Sequence, residues 1–442
     1  MRNTRLALGL AALALSTLNP QLSTVSAQAS PGEETTYLIK GGTVVNPDGQ
    51  RMPNVNILVR NNRIAQIGAN VTAADAKVID AAGKLIYPGM MDANTGIGLS
   101  EIGSVQTTNF RSEMGEFNPH MKALVGLNVE SELLGVTRMA GVTSVITTPT
   151  GGVISGQATL INTAGWTWED LAVARDAGTV FTLPSTGGGG RGGRGGGGGR
   201  GGRGGGGADP AAQAKLIADF NDFMQAAKDY DAGRAAGSAK LDLIYESMRP
   251  LFAKKSPALM NANTEQQIKD AIAFCEKWGF RPVIMGGDQA WKVRKLLADK
   301  QVPVVLGSIE EAPGDDQPYD EIYAQPGLLY DAGVKFAFST GQGSNSRHVA
   351  FHAALAVAYG LKPEGALKAL TIWPAEIFGV DKEIGSVAVG KLANFFIVDG
   401  DPMDLRTQVI GVFIKGREVP DDDRHHRLYI KYKNRPLPRI TP

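Results

Sequence analysis

The sequence predicts an α/β protein: a (β/α)8 TIM-like barrel beside a small β-sandwich built from both ends of the chain. Three observations point there. Short apolar, partly β-branched runs alternate with helical segments from Pro88 to about residue 380. Turn-punctuated strand patterns fill residues 37–87 and return at 384–419. The 442 residues suffice for one large domain, or two ordinary ones, with a sizeable core. Apolar residues make up 43% and charged residues 20%, ordinary for a globular protein. A formal charge of +1 gives the whole chain no bias toward nucleic acid or anionic membrane.

In chain order, Arg2 and Arg5 precede the 13-residue apolar run Leu6–Leu18, and small residues follow in "STVSAQAS". That is the layout of a secretory signal peptide over 1–27, cleaved after Ala27 or Ala29. The run is too short for a membrane span, which takes about 20 residues. Removing 1–27, with two arginines and no acid, brings the formal charge from +1 to −1. The sole cysteine, Cys275, has no internal disulfide partner. The expected product is periplasmic or secreted.

Residues 37–87 read as strands separated by Gly-Gly, Pro-Asp-Gly and Asn-Asn turns. The barrel, 88–380, offers strand runs at 142–148, 257–260, 282–285, 302–306 and 334–338. Between them, Thr264 and Gln267 form a capping box before Ile268, Ala271, Ile272 and Cys275, and Gly279 ends that helix. A second helix is expected over 289–300. This alternation argues for a parallel sheet, for which a (β/α)8 barrel is the commonest solution at this length. Residues 187–207 hold only Gly and Arg and read as a disordered insert in a barrel loop. The segment 384–419 returns to β character, and 420–442 reads as a polar surface tail.

"PGMMDANTGIG" (88–98) ends an apolar run and turns polar, so period-two alternation puts Asp92, Asn94 and Gly96 on one side of a strand end. Strand ends are where such folds place chemistry, yet Asn and Gly are poor nucleophiles, bases or metal ligands. "GGTVVNPDG", "NNRIAQIG", "PGMMDANTG" and "ALTIWPAEIFGVDKEIGSVAVGKLANFFIVDGDP" together resemble the amidohydrolase superfamily, over about 37–419. "PTGGVISGQATLINTAGWTWEDL" is similar to its exported, imidazolonepropionase-like subgroup. The resemblance implies a hydrolase of non-peptide C–N bonds, with zinc or another divalent metal at the barrel's carboxyl face. Its His-x-His pair falls here on Asn94 and Gly96, and its later histidines on Asn261 and Gly286. Its last aspartate falls on Gly341, or else Thr340, and its strand-four ligand has no counterpart that can be located. Asp92 survives from the motif. Amides and glycines do not replace imidazoles around a zinc-class ion. The expectation is therefore no metal and no cofactor, with Asp92, Asn94, Gly96, Asn261, Gly286 and Gly341 lining a degenerate site.

Residual chemistry has three weak candidates: His120, Asp288 and His348. His348 and His352 stand four apart, a spacing able to hold zinc, but no glutamate of a His-Glu-x-x-His motif accompanies them and packing or surface roles explain them better. Asp288 suits a helix cap, and His425 and His426 belong to the tail. Three functions stay open. The first is a non-catalytic member of the family, taking a small ligand in the barrel mouth or partnering itself or an active paralogue. The second is an active amidohydrolase with a relocated site. The third, nucleic-acid binding through the Gly/Arg tract, is opposed by net charge, export and the absence of stacking aromatics there.

Overall fold

Two eight-stranded sheets carry the described chain, residues 35–184, 209–310 and 318–436 of a computed structural model. The expected leader (1–27) and the Gly/Arg insert (187–207) lie outside the described residues, as does the end of the tail.

The first sheet joins both chain ends. Strands β1 (Tyr37–Val45), β2 (Arg51–Arg60), β3 (Arg63–Gly68), β4 (Lys77–Asp80) and β5 (Leu85–Pro88) come from the front. The barrel follows with β6 (Met90–Thr95), β7 (Val142–Thr147), β8 (Ile154–Asn162), β9 (Ala172–Phe181), β10 (Ala258–Ala262), β11 (Pro282–Gly286), β12 (Val304–Leu306) and β13 (Phe336–Ala337). Strands β14 (Phe395–Val398), β15 (Val409–Ile414) and β16 (Arg417–Glu418) complete the first sheet. Its order is β16-β15-β14-β5-β1-β2-β3, with β4 on β1, and β14 lies antiparallel to β5.

The turn residues explain the front hairpins. Asn61 and Asn62 both take positive φ (49° and 66°) between β2 and β3, a conformation asparagine tolerates better than most residues. The sheet also folds onto itself. Tyr37 on β1 meets Phe413 on β15 edge-on at 5.3 Å, although two strands separate them in the ladder. Ile39, Ile57, Ile86, Phe395, Ile397 and Phe413 share the enclosed core. One continuous sheet thus supplies both layers of a sandwich.

The second sheet is TIM-like. Its order β13-β12-β11-β10-β9-β8-β7-β6 closes through Ala93 N–H donating to Phe338 O at 3.1 Å. Met91, Ala93, Ile146, Leu160, Leu259, Val283, Met285, Val305 and Ala337 form one buried cluster. The alternate residues Met90, Val145, Met260, Ile284, Val304 and Phe336 pack with the helices' apolar faces. The capping-box helix runs Glu265–Trp278 and stops at Gly279, which has φ +75°. The segment expected as a helix over 289–300 starts as a 3-10 turn, Ala290–Val293, and becomes α-helical over Arg294–Asp299.

Strict strand–helix alternation fails once. Strand β8 runs antiparallel to both β7 and β9, so it takes a place in the wall that strand–helix alternation would fill with a parallel strand. The sequence disguises it with Ser155, Gln157, Thr159 and Asn162, all buried. Three find partners outside their own ladder positions: Gln157 Nε2 donates to Pro119 O at 3.1 Å, Thr159 Oγ1 to Ala174 O at 3.0 Å, and Asn162 Oδ1 accepts from Asn394 Nδ2 at 2.8 Å.

Within the expected polar surface tail, residues Arg424–Lys433 form a helix capped by Asp423. It buries no apolar side chain, so no hydrophobic period announced it; Arg427 Nη2 on Glu132 (2.7 Å) and Arg138 near Asp422 (3.7 Å) hold it to the body.

Candidate functional site at the barrel mouth

The end of β6 carries the family motif, and its ladder shifts register between Asp92 and Thr95. Period-two alternation therefore does not run unbroken to Gly96. Asp92 is fully buried. Its Oδ2 accepts from Thr340 Oγ1 at 2.5 Å, and its Oδ1 accepts from Thr340 N at 3.1 Å and Asn94 N at 3.3 Å. Thr340, the alternative position of the family's last aspartate, thus serves as a clasp between the first and last strands. Desolvation pushes the Asp92 pKa up to about 6 despite these donors.

Asn94 is bound on both sides. Its Oδ1 accepts from Thr148 Oγ1 at 2.6 Å, and its backbone oxygen from Gly341 N at 3.1 Å. Two predicted site positions, Asn94 and Gly341, are thereby neighbours. Gly341 is buried, yet an ideal Cβ there would meet nothing within 4 Å.

Gly96 is covered by a residue that sequence reasoning missed. An ideal Cβ on Gly96 would fall 2.7 Å from Arg111 Nε, 2.8 Å from its Cδ and 2.9 Å from its Cζ. The guanidinium thus occupies the space that a side chain at 96 would need. Arg111 Nε donates to Thr148 O at 3.3 Å, and Nη2 to Thr148 Oγ1 at 3.4 Å. Burial pulls its pKa down, and the charge of Asp92 pulls it back up. A single arginine in the polar stretch "NFRSE" carries no periodic or spacing signal that would have found it.

The β10 and β11 ends form another group. Asn261 is exposed, and its Nδ2 donates to Thr182 Oγ1 at 2.9 Å. Gly286 pairs with Ala262, one step along from Asn261. It has φ +97°, and Asn263 Oδ1 lies 2.0 Å from where its Cβ would be. That oxygen is buried with no hydrogen-bond partner among the described residues. Asp288 stands nearby, its Oδ1 3.6 Å from an ideal Cβ on Gly307, while the following 3-10 turn has Gln289 as its N-cap and no side-chain cap.

The histidines are dispersed. His120 lies between two short bridges, Phe117 to Ile154 and Lys122 to Gln157, so its loop runs along the rim of β8. Its Nδ1 is buried without a partner among the described residues. His348 ends a 3-10 turn (Gly343–His348) as N-cap of the helix Val349–Ala358, beside Phe351 at 5.8 Å. His352, inside that helix, is fully buried, with Nε2 3.5 Å from Glu310 Oε2. Burial lowers both imidazole pKa values, and Glu310 partly restores them.

A divalent metal does not fit this donor set. Among the described residues no group of three or more His, Cys, Asp or Glu side chains is arranged to hold one. At the family positions, the Asn94 oxygen is engaged by Thr148, and Arg111 fills the place beside Gly96.

Comparison with known proteins agrees with this geometry's ancestry. The profile of the Amidohydrolase family matches residues 320–419. An amidohydrolase crystal structure from Thermotoga maritima superposes with a TM-score of 0.74 at 28% identity, covering 87% of this chain and 99% of that one. A dihydroorotase from Pelotomaculum thermopropionicum is 46% identical over 55 residues, 12% of this chain and 13% of its own length. Dihydropyrimidinase 1 from Caenorhabditis elegans is 42% identical over 74 residues, 16% of this chain and 15% of its own. The chain therefore matches only a small fraction of these curated relatives.

Proposed function

This chain belongs to the amidohydrolase superfamily, and we propose that it keeps the scaffold without the metal chemistry, as a ligand-binding or partner protein. The observation that carries the reading is Arg111 lying against Gly96. A guanidinium near a metal position repels the ion: at an effective dielectric of 20, a divalent cation about 4 Å away is opposed by roughly 8 kcal/mol. No imidazole stands at positions 94, 96, 261 or 286 to offset that. Without an ion, water has no means of reaching a near-neutral pKa, so the superfamily's nucleophile is absent.

Export belongs to the same reading. The leader pattern supports it, and sequencing the mature amino terminus should begin at Gln28 or Ser30. A small-molecule ligand, a second copy of the chain or an active paralogue are the partners the proposal leaves to experiment. No helix among the described residues is long and apolar enough to cross a membrane.

A relocated hydrolytic site has one observation in its favour: His352, with Glu310 3.5 Å away and neither ring nitrogen hydrogen-bonded among the described residues. Hydrolysis assays separate the readings. Purified protein should not turn over dihydroorotate, a dihydropyrimidine or a simple lactam, with or without added zinc or manganese. Chelator-sensitive turnover abolished by His352→Ala, His348→Ala or His120→Ala would overturn the proposal in favour of the relocated site.

A further inference from the structure

Arg111 is a mostly desolvated cation with no carboxylate within ion-pair distance among the described residues, and burying an uncompensated charge is costly. Its partners so far are both neutral acceptors on one residue, Thr148 O and Thr148 Oγ1, which use two of its five N–H donors. Asp92 acts on it through space but keeps its own oxygens on Thr340 and Asn94.

The hydrogen-bond chain also fixes Asn94. Thr148 Oγ1 accepts from Arg111 Nη2, so its own proton must go elsewhere. The 2.6 Å contact to Asn94 Oδ1 takes it in preference to the 3.3 Å contact to Thr95 O. An oxygen is therefore required at that end of the Asn94 amide, and its NH2 is left as a donor on the other. Arginine and amide donors are thus joined through Thr148 at one strand end, and the Asn94 backbone there is bound by Gly341, whose Cβ direction is open.

We infer that Arg111 and Asn94 form a binding site for a small carboxylate at the barrel mouth, the resident guanidinium supplying the positive charge of the pocket. A planar carboxylate matches the fork of the remaining guanidinium N–H groups and completes the charge balance that Arg111 lacks. This rests on the metal-free reading above, because a divalent ion beside Gly96 would exclude the arginine.

The test uses N-acetylglycine and its neutral analogue N-acetylglycinamide as probes, followed by ligand-observed NMR and thermal shift on the full chain. N-acetylglycine should bind and the amide should not. Arg111→Met should weaken N-acetylglycine about tenfold or more, and Arg111→Lys should recover part of the loss, since it keeps charge but not the fork. Absence of N-acetylglycine binding, equal binding of the neutral amide, or binding undiminished in Arg111→Met would each overturn the inference. If Arg111→Met does not fold, Arg111→Gln gives the same reading. Turnover of a lactam by the same preparation would refute the metal-free reading, while the charge and Arg111 dependence of binding would still be scored on their own.

Discussion

At the amino-terminal end of the barrel, Asn394, Asn162 and Ser144 are buried in one network; at the carboxyl end, Asn263 Oδ1 and both ring nitrogens of His352 are buried with no hydrogen-bond partner among the described residues. In the first, Asn394 Nδ2 donates to Asn162 Oδ1 at 2.8 Å, Ser144 Oγ to the same oxygen at 3.2 Å, and Lys415 N to Asn394 Oδ1 at 2.8 Å. Only Asn162 Nδ2 goes unused. Nearby, Asn46 grips the backbone of Val387 through both ends of its amide, at 2.9 and 3.1 Å. The Asn394–Asn162 and Asn46–Val387 bonds tie the ends of β8 and β1 to residues more than 200 positions away. The contrast separates two jobs of buried polarity. One end uses it to fix which segments pair; the other keeps polar atoms that nothing among the described residues saturates.

The largest effect should come from cutting that lower seam. Truncation at residue 380 removes Phe395, Ile397 and Phe413 and leaves Ile39, Ile57 and Ile86 facing solvent. The product should be insoluble in a fractionation assay; a soluble fragment with one cooperative melting transition would break the idea of a shared sandwich.

Asn394→Leu should cost about 2–4 kcal/mol in denaturant unfolding, because Lys415 N and Asn162 Oδ1 both lose a buried partner. A loss below 0.5 kcal/mol, roughly that of an indifferent surface change, would remove the special status of this end.

Asp92→Asn sharpens the contrast through pH. The folded-state pKa of Asp92 is raised to about 6, so its proton is bound more tightly in the folded chain. Wild-type stability from this group is present below the unfolded carboxyl pKa and is lost as pH rises toward and through 6. The melting temperature of Asp92→Asn relative to wild type should therefore climb between pH 4 and pH 7, by an amount worth at most about 3 kcal/mol. A flat or falling difference would show that Asp92 is ionised without penalty.

The smallest change is expected at the mouth. Asn263→Leu keeps the branched shape beside Gly286 and removes an oxygen with no partner, so stability should shift by less than about 1 kcal/mol. A loss as large as that of Asn394→Leu would mean the two ends are alike after all.

Local physics decided what the sequence disclosed. The Asn61-Asn62 turn and the Thr264–Gln267 capping box are specified by adjacent residues, and both stand as expected. Strand β8 was hidden because four of its nine positions are polar, satisfied or sheltered only once the fold exists. Helix Arg424–Lys433 was hidden because charge pairs, not an apolar stripe, hold it. At the mouth, the absence of histidines at Asn94, Gly96, Asn261 and Gly286 was plain. What fills their space was not: Arg111 reaches Gly96 across a long loop broken by one 3-10 turn, and Asn263 reaches Gly286 from the neighbouring strand end.

The presence or absence of a bound ion is the most direct test of the proposal that an arginine stands at this barrel mouth in place of a metal. Protein purified without chelator, dialysed against metal-free buffer and analysed by inductively coupled plasma mass spectrometry should hold zinc, manganese and iron at far below one ion per chain. One full equivalent retained through dialysis would contradict it.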